Sequence, residues 1–203
     1  MKTIMIFLLT LPLLTVSSLA QTRLPTFDTY VDGGDTWQEY EDATECSFYC
    51  ANFSVTERAS SSLPSRARLK YGGAQAHDNE VGTAWVEGSK GYGVGEFLEY
   101  VITTAQPDLR VTGLSILNGY RKSKESWRDN SRVKRLKLYV NGKPHGVIEL
   151  KDSYNYQEVK IGNVKLTPNG KTILRFEIME VYKGRKYSDT AITAINLDGC
   201  CTH

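Results

Sequence analysis

Apolar and polar residues alternate through most of the chain beyond residue 53. In "KRLKLYVNGKPHGVIEL", Leu136, Leu138 and Val140 alternate with Arg135, Lys137 and Tyr139, the period of a strand with one buried face. The run turns on Asn141-Gly142, a strong two-residue hairpin signal because both central residues take positive φ. "LTPNGKTILRFEIMEV" repeats the device, with Asn169-Gly170 as the turn and Leu174, Phe176 and Ile178 facing inward. "EFLEYVI" and "VTGLSILNGY" are two further candidate strands. No apolar period of 3.6 residues persists for three turns. Many short strands separated by Gly and Asn turns predict an all-β protein, an antiparallel sandwich or jelly roll.

The ends of the chain add to this. Residues 1–20, "MKTIMIFLLTLPLLTVSSLA", carry one Lys, an apolar stretch from Ile4 to Val16 and the small-x-small ending Ser18-Leu19-Ala20, the layout of a signal peptide. The stretch is too short to span a bilayer comfortably and no stop-transfer pattern follows. A secreted, soluble protein with no membrane span is expected. Residues 21–52 are polar and turn-rich, without a sustained period, and read as an extended N-terminal lead-in; residues 53–203 hold the strands. What remains of the 203 residues after cleavage suffices for one well-cored domain. The net charge of +2 does not argue for a nucleic-acid or membrane partner.

The four cysteines are Cys46, Cys50, Cys200 and Cys201. In an exported protein an even count reads as two disulfides. Adjacent cysteines pair only through a strained ring, so Cys200 and Cys201 are each expected to reach back to one of Cys46 and Cys50. Zinc is the alternative, disfavoured by export and because His203 is the only histidine close by.

The stretch "QAHDNEVGTAWVEGSKGYGVGEF", Gln75 to Phe97, concentrates candidate chemistry. His77 and Asp78 are adjacent, and on a strand they would point to opposite faces. The other histidines are His145 and His203, and no G-x-S-x-G, H-E-x-x-H or C-x-x-C occurs. These absences weigh against acyl transfer and zinc hydrolysis. The glycine run resembles a dinucleotide loop but leads into a strand, so there is no helix N-terminus to hold a pyrophosphate. "AHDNEVGTAW" reads two ways: a loop offering oxygen ligands to Ca2+, or a turn whose Asp and Asn cap their own backbone while Trp85 plugs the core. The run Gly119 to Lys137 carries eight Lys and Arg around Trp127. It reads as a nucleic-acid patch or, with more weight, as solvent-facing charges flanking a strand.

Three blocks carry a family resemblance: "AHDNEVGTAWVEGSKGYGVGEFLEYVI", "LNGYRKSKESWRDNSRVKRLKLYV" and "EVYKGRKYSDTAITAINLDG". In this order they resemble the NADase-type glycan-binding domain, also called the NAD glycohydrolase translocation domain of coagulation-factor type C (discoidin-like) form. The likeness runs from about Phe53 to Gly199. It implies a galactose-binding-like jelly-roll β-sandwich that recognises a glycan or another cell-surface ligand and performs no catalysis. No cofactor is required on this reading. In the wider class the loop holds a structural Ca2+, and the resemblance assigns Asp78 and Thr83 as its ligands. Ala194 stands where the family commonly places a Glu, which puts the ion in doubt. Ligand contact is expected from loops at one end of the sandwich, through Tyr92, Tyr120, Trp127, Arg128, Tyr182, Arg185 and Tyr187, aromatic faces stacking on sugar and Arg supplying forked donors. Trp127 is expected in a polar loop with its ring exposed. A protein–protein adhesion module on the same fold is the alternative. A small hydrolase using Glu87 and Glu96 is the third reading.

Overall fold

The computed structural model describes residues 23–31, 51–66 and 69–201. The expected signal peptide lies outside these residues, as do Cys46 and Cys50; of Cys200 and Cys201 only the backbone is described. The strands are β1 (Thr26–Asp28), β2 (Tyr30–Val31), β3 (Phe53–Ala59), β4 (Trp85–Val86), β5 (Phe97–Thr104), β6 (Leu109–Asn118), β7 (Ser131–Val140), β8 (Lys143–Glu149), β9 (Gln157–Lys165), β10 (Gly170–Tyr182) and β11 (Thr190–Cys201). One short helix, α1 (Lys124–Asp129), and a single 3-10 turn, Gly73–Ala76, complete the described elements. The protein is all-β.

Two layers form. Antiparallel pairing in the order β3-β5-β10-β7-β8 makes one, and β2-β9-β6-β11-β4 makes the other. A two-residue parallel contact, Thr190 with Ser131 and Ala191 with Arg132, joins them. The alternation read in the sequence supplies the core between the layers. Leu98, Tyr100, Leu136, Leu138, Leu174 and Phe176 from the first layer meet Leu114, Ile116, Ile161, Ile195 and Leu197 from the second, all fully buried. The first hairpin dipeptide behaves as expected, Asn141 and Gly142 having φ of 50° and 77°. At the second only Asn169 takes positive φ, 54°. That turn is not a hairpin, because the strands it joins, β9 and β10, lie in different layers.

Two other local expectations change. The lead-in is extended at residues 26–31, but it belongs to the sandwich: β1 runs parallel to β8 and β2 pairs with β9. Phe27 stacks on His145 with ring centroids 5.7 Å apart. His77 is not on a strand; it closes the 3-10 turn, and its Nδ1 lies 2.7 Å from Glu57 Oε1.

Strand direction places the candidate loops. β5 starts beside the second half of β10, since Phe97 is in register with Glu177. β7 and β11 start side by side. Loops 87–96, 119–130 and 183–189 therefore share one end of the sandwich. An open cleft of about 560 Å3 lies at the other end, lined by Asn52, Ser54, Thr103 and Lys171 among others. None of the candidate binding residues lines it.

Candidate functional site

The loop end has a floor of buried, hydrogen-bonded groups. Glu87 is fully buried. Its Oε1 accepts from the Thr190 amide at 3.1 Å, and its Oε2 accepts from the amide and hydroxyl of Ser89, both at 2.8 Å. Thr190 closes the link by donating its hydroxyl to the Tyr92 carbonyl at 2.8 Å. The glycine run now has a role. At Gly93, φ is 67° and a Cβ would stand 2.5 Å from Glu87 Cγ, so only glycine lets the loop fold over the carboxylate.

Trp127 belongs to this floor, which corrects the expectation of an exposed ring in a polar loop. Ser123 accepts from the Ser126 amide and caps α1, satisfying a donor that the first turn leaves orphaned. The helix carries Trp127 inward, half-buried. Its Nε1 donates to the Asn118 carbonyl at 2.9 Å. The Arg132 guanidinium lies 4.3 Å from the ring centroid, and Tyr154 meets the ring edge-on at 5.7 Å. Arg132 is held in turn by both oxygens of Asp152 and by the carbonyls of Trp127 and Asn130.

Two candidate tyrosines also have packing roles. Tyr120 is half-buried beside Ala84, Val86 and Ala191 and meets Tyr71 edge-on at 6.3 Å. Burial, and then Tyr71, raise the Tyr120 phenol above its ordinary pKa. Tyr182 is half-buried and donates its hydroxyl to the Leu150 carbonyl at 3.0 Å. Burial likewise comes first among the causes that raise its pKa.

The remaining four, Tyr92, Arg128, Arg185 and Tyr187, come together as a rim. The 183–189 turn is laid on the C-terminal end of α1. Arg185 donates its amide to the Arg128 carbonyl at 2.9 Å, and Lys186 and Tyr187 donate theirs to the Asp129 carbonyl at 3.1 and 2.8 Å. Gly184 permits the approach, because a Cβ there would stand 2.3 Å from the Asp129 oxygen. Arg185 holds Asp129 Oδ1 through Nε and Nη2, at 3.1 and 2.7 Å. Tyr187 is 44% exposed. The Lys183 and Lys186 ammonium groups each lie 5.1 Å from a ring centroid, over Tyr92 and Tyr187 respectively. Sequence reasoning missed both lysines, although "YKGRKY" displayed them. It also missed Glu87 as a keystone.

The other candidate chemistry resolves into hydrogen bonds. Glu96 accepts from the hydroxyls of Ser60 and Ser61, while Glu87 is committed to Thr190 and Ser89, so each carboxylate has its own partners. In the Asp78 loop, Asp78 Oδ1 accepts from the Glu80 amide at 3.0 Å, and the Thr83 hydroxyl lies 2.9 Å from both Asp78 oxygens and from the Glu80 carbonyl. Asn79 takes φ 61°. Ala194 is in register with Leu117 and packs on Leu117 and Tyr156, contributing no side-chain oxygen. Among the described residues no three His, Cys, Asp or Glu gather as a metal group. In the basic run, Arg132, Lys134 and Arg135 are paired with Asp152, Glu180 and Glu149, as expected of charges flanking a strand.

The family model for the NAD glycohydrolase translocation F5/8 type C domain matches residues 48–198. A comparison of the sequence with curated proteins finds no significant match. Among solved structures, the chain is similar to the CBM32-1 and CBM32-2 domains of Clostridium perfringens ZmpB, with a TM-score of 0.54 and 12% identity over 89% of this chain and 42% of that one. A second structure of those domains, in complex with GalNAc, matches with the same score and identity and 41% of its chain covered. At 12% identity the likeness is one of fold, and this chain spans less than half the length of that relative.

Proposed function

The chain belongs to the NAD glycohydrolase translocation F5/8 type C domain family, and from that premise we propose that it is a secreted, non-catalytic module binding carbohydrate through the loop end. The observation that carries this reading is the pinned rim. Tyr187 is exposed on a turn that three backbone hydrogen bonds fix to α1, and Tyr92 stands beside that turn through Lys183. A rigid aromatic face costs little ordering entropy on binding, and its positive edges and negative face suit the C–H surface of a sugar. That the similar Clostridium perfringens domains were solved with GalNAc supports a sugar as the class of ligand. Glu87 is buried and engaged by Thr190 and Ser89, and Glu96 accepts from Ser60 and Ser61. The two carboxylates therefore do not face each other as an acid and base pair, which favours recognition over hydrolysis. Export rests on residues 1–20, and in that setting Cys46 and Cys50 would bond to Cys200 and Cys201.

The test is a glycan array probed with the mature chain and with Tyr187→Ala. Binding by the mature chain is expected, with loss in the variant at an unchanged melting temperature. A blank array for the folded wild-type chain overturns the reading and leaves a protein-directed adhesion module on the same fold.

A further inference from the structure

Among the described residues some lysines and arginines hold a carboxylate and others, such as Arg58, Lys137 and Lys171 on the strands, do not. On the strands, Lys134, Arg135 and Arg175 each hold a carboxylate, Glu180, Glu149 and Glu99. At the loop end, Lys90, Lys122, Lys124, Arg128, Lys183 and Lys186 are all exposed, and none forms a salt bridge among the described residues. The carboxylates nearby are mostly engaged: Asp129 by Arg185, Asp152 by Arg132, and Glu87 by backbone and hydroxyl donors. Glu87, Glu96, Glu125 and Asp189, none of them in a salt bridge among the described residues, oppose these six cations and leave a modest positive excess at this end.

Resting on the carbohydrate reading above, we infer that the glycan is acidic, bearing carboxylate or sulfate groups. The geometry at the exposed Tyr187 and the half-buried Tyr92 is the reason. Lys183 lies over Tyr92 and Lys186 over Tyr187, so an ammonium partly covers the face on which a sugar would stack. A neutral sugar has to displace that cation and offers it only neutral hydroxyl acceptors in return. An acidic sugar draws the lysine off the ring into a charge-assisted hydrogen bond while its own ring takes the vacated face. Arg128, beside this turn, adds a planar fork that matches carboxylate or sulfate. A membrane surface is the weaker fit. The large apolar side chains exposed at this end are Val94 and Tyr187, on separate loops, whereas stable insertion into a bilayer takes a contiguous apolar face.

The experiment measures binding of the mature chain to immobilised sulfated and sialylated glycans and to their desulfated and desialylated counterparts. Phosphatidylserine vesicles and single-stranded DNA serve as competing polyanions. Removal of the acidic groups is expected to weaken binding by ~10-fold or more, and raising salt from ~50 to ~500 mM, which shortens the screening length several-fold, should do the same. Lys183→Gln/Lys186→Gln should lose ~10-fold toward the acidic glycan, and hold or gain affinity toward its neutral counterpart because the ring faces are freed, at an unchanged melting temperature. Equal affinity for acidic and neutral forms overturns the inference while leaving a glycan-binding loop end. Binding only to vesicles or DNA, with every glycan blank, overturns both.

Discussion

Trp127 and Tyr187 sit at the same end of the same sandwich, both were candidates for stacking on sugar, and their surroundings are opposite. Trp127 has its Nε1 bonded to Asn118, a guanidinium on its face and a tyrosine at its edge. Tyr187 has its backbone held by Asp129 and Ser131 while nearly half its surface stays in water. The difference lies in which part of each residue is committed. Where the side chain is bonded, the residue is floor and contributes stability. Where the backbone is bonded and the side chain meets only an exposed lysine, the side chain is left for a ligand.

The sharpest test of that division is at Glu87. Glu87→Ala leaves the buried Thr190 amide and the Ser89 donors without their carboxylate, and buried donors left unpaired cost their full desolvation. The expected loss is about 4 kcal/mol, read by chemical denaturation, with binding lost only as folded protein is lost. If this variant melts normally yet fails to bind, Glu87 belongs with the rim and the division is misplaced.

Next in size is the pair that defines the comparison. Trp127→Ala should cost about 3 kcal/mol, toward the lower end for a large aromatic because the ring is only half-buried. Tyr187→Ala should cost under ~0.5 kcal/mol, the usual range for surface changes. Comparable losses of stability in the two variants would erase the distinction.

These contrasts also show how far the sequence was legible. Alternation marked β7 and β10 together with their Asn-Gly turns, because strand periodicity and turn chemistry are local properties. The segment 26–31 showed no period, and its pairing is supplied by β8 and β9, more than a hundred residues away. The six residues of α1 are too few to display a helical period. Glu87 could not be read as a keystone because its partner Thr190 is 103 positions along the chain. Of the seven candidate binding residues, four meet at the rim. The three that do not were aromatic residues in polar surroundings, where local sequence cannot distinguish a ring that reaches solvent from one that wedges between neighbours.

A third test concerns a half-buried carboxylate, that of Asp198. Asp198 lies on the outer face of β11, since Leu197 beside it points into the core, and it is in register with Gly113. Burial, then the charge of Glu158, raise its pKa from 3.8 to about 6. The folded protein therefore binds this proton more tightly than the unfolded chain does. Its contribution to stability is greatest below pH ~4 and is lost as pH rises through about 6. The gap between 3.8 and about 6 corresponds to about 3 kcal/mol as an upper figure at 1.36 kcal/mol per pKa unit. Asp198→Asn should raise the melting temperature at pH ~7.5 and leave it nearly unchanged at pH ~4. A variant that destabilises at both pH values would mean the carboxylate is satisfied after all, and that Asp198 behaves like Glu87.

The smallest expected effect is that of Ca2+ on the Asp78–Thr83 loop. Asp78 is floor-like in miniature: its carboxylate caps the Glu80 amide and meets the Thr83 hydroxyl. A Ca2+ site of useful affinity gathers six to eight oxygens, commonly with more than one carboxylate. Ala194 presents a methyl group packed against Leu117 and Tyr156 at the position where the resemblance expects a second one. A site with Kd near ~10 μM would stabilise the fold by about 2.7 kcal/mol in ~1 mM Ca2+, a rise that thermal melting resolves easily. The expectation is no measurable shift between Ca2+ and chelator. Asp78→Ala should cost about 1 kcal/mol in either condition, the ordinary loss of a side-chain cap. A Ca2+-dependent rise that disappears in Asp78→Ala would show that this loop holds an ion despite Ala194. Asp78 would then resemble the rim, where a group's role depends on the ligand it meets.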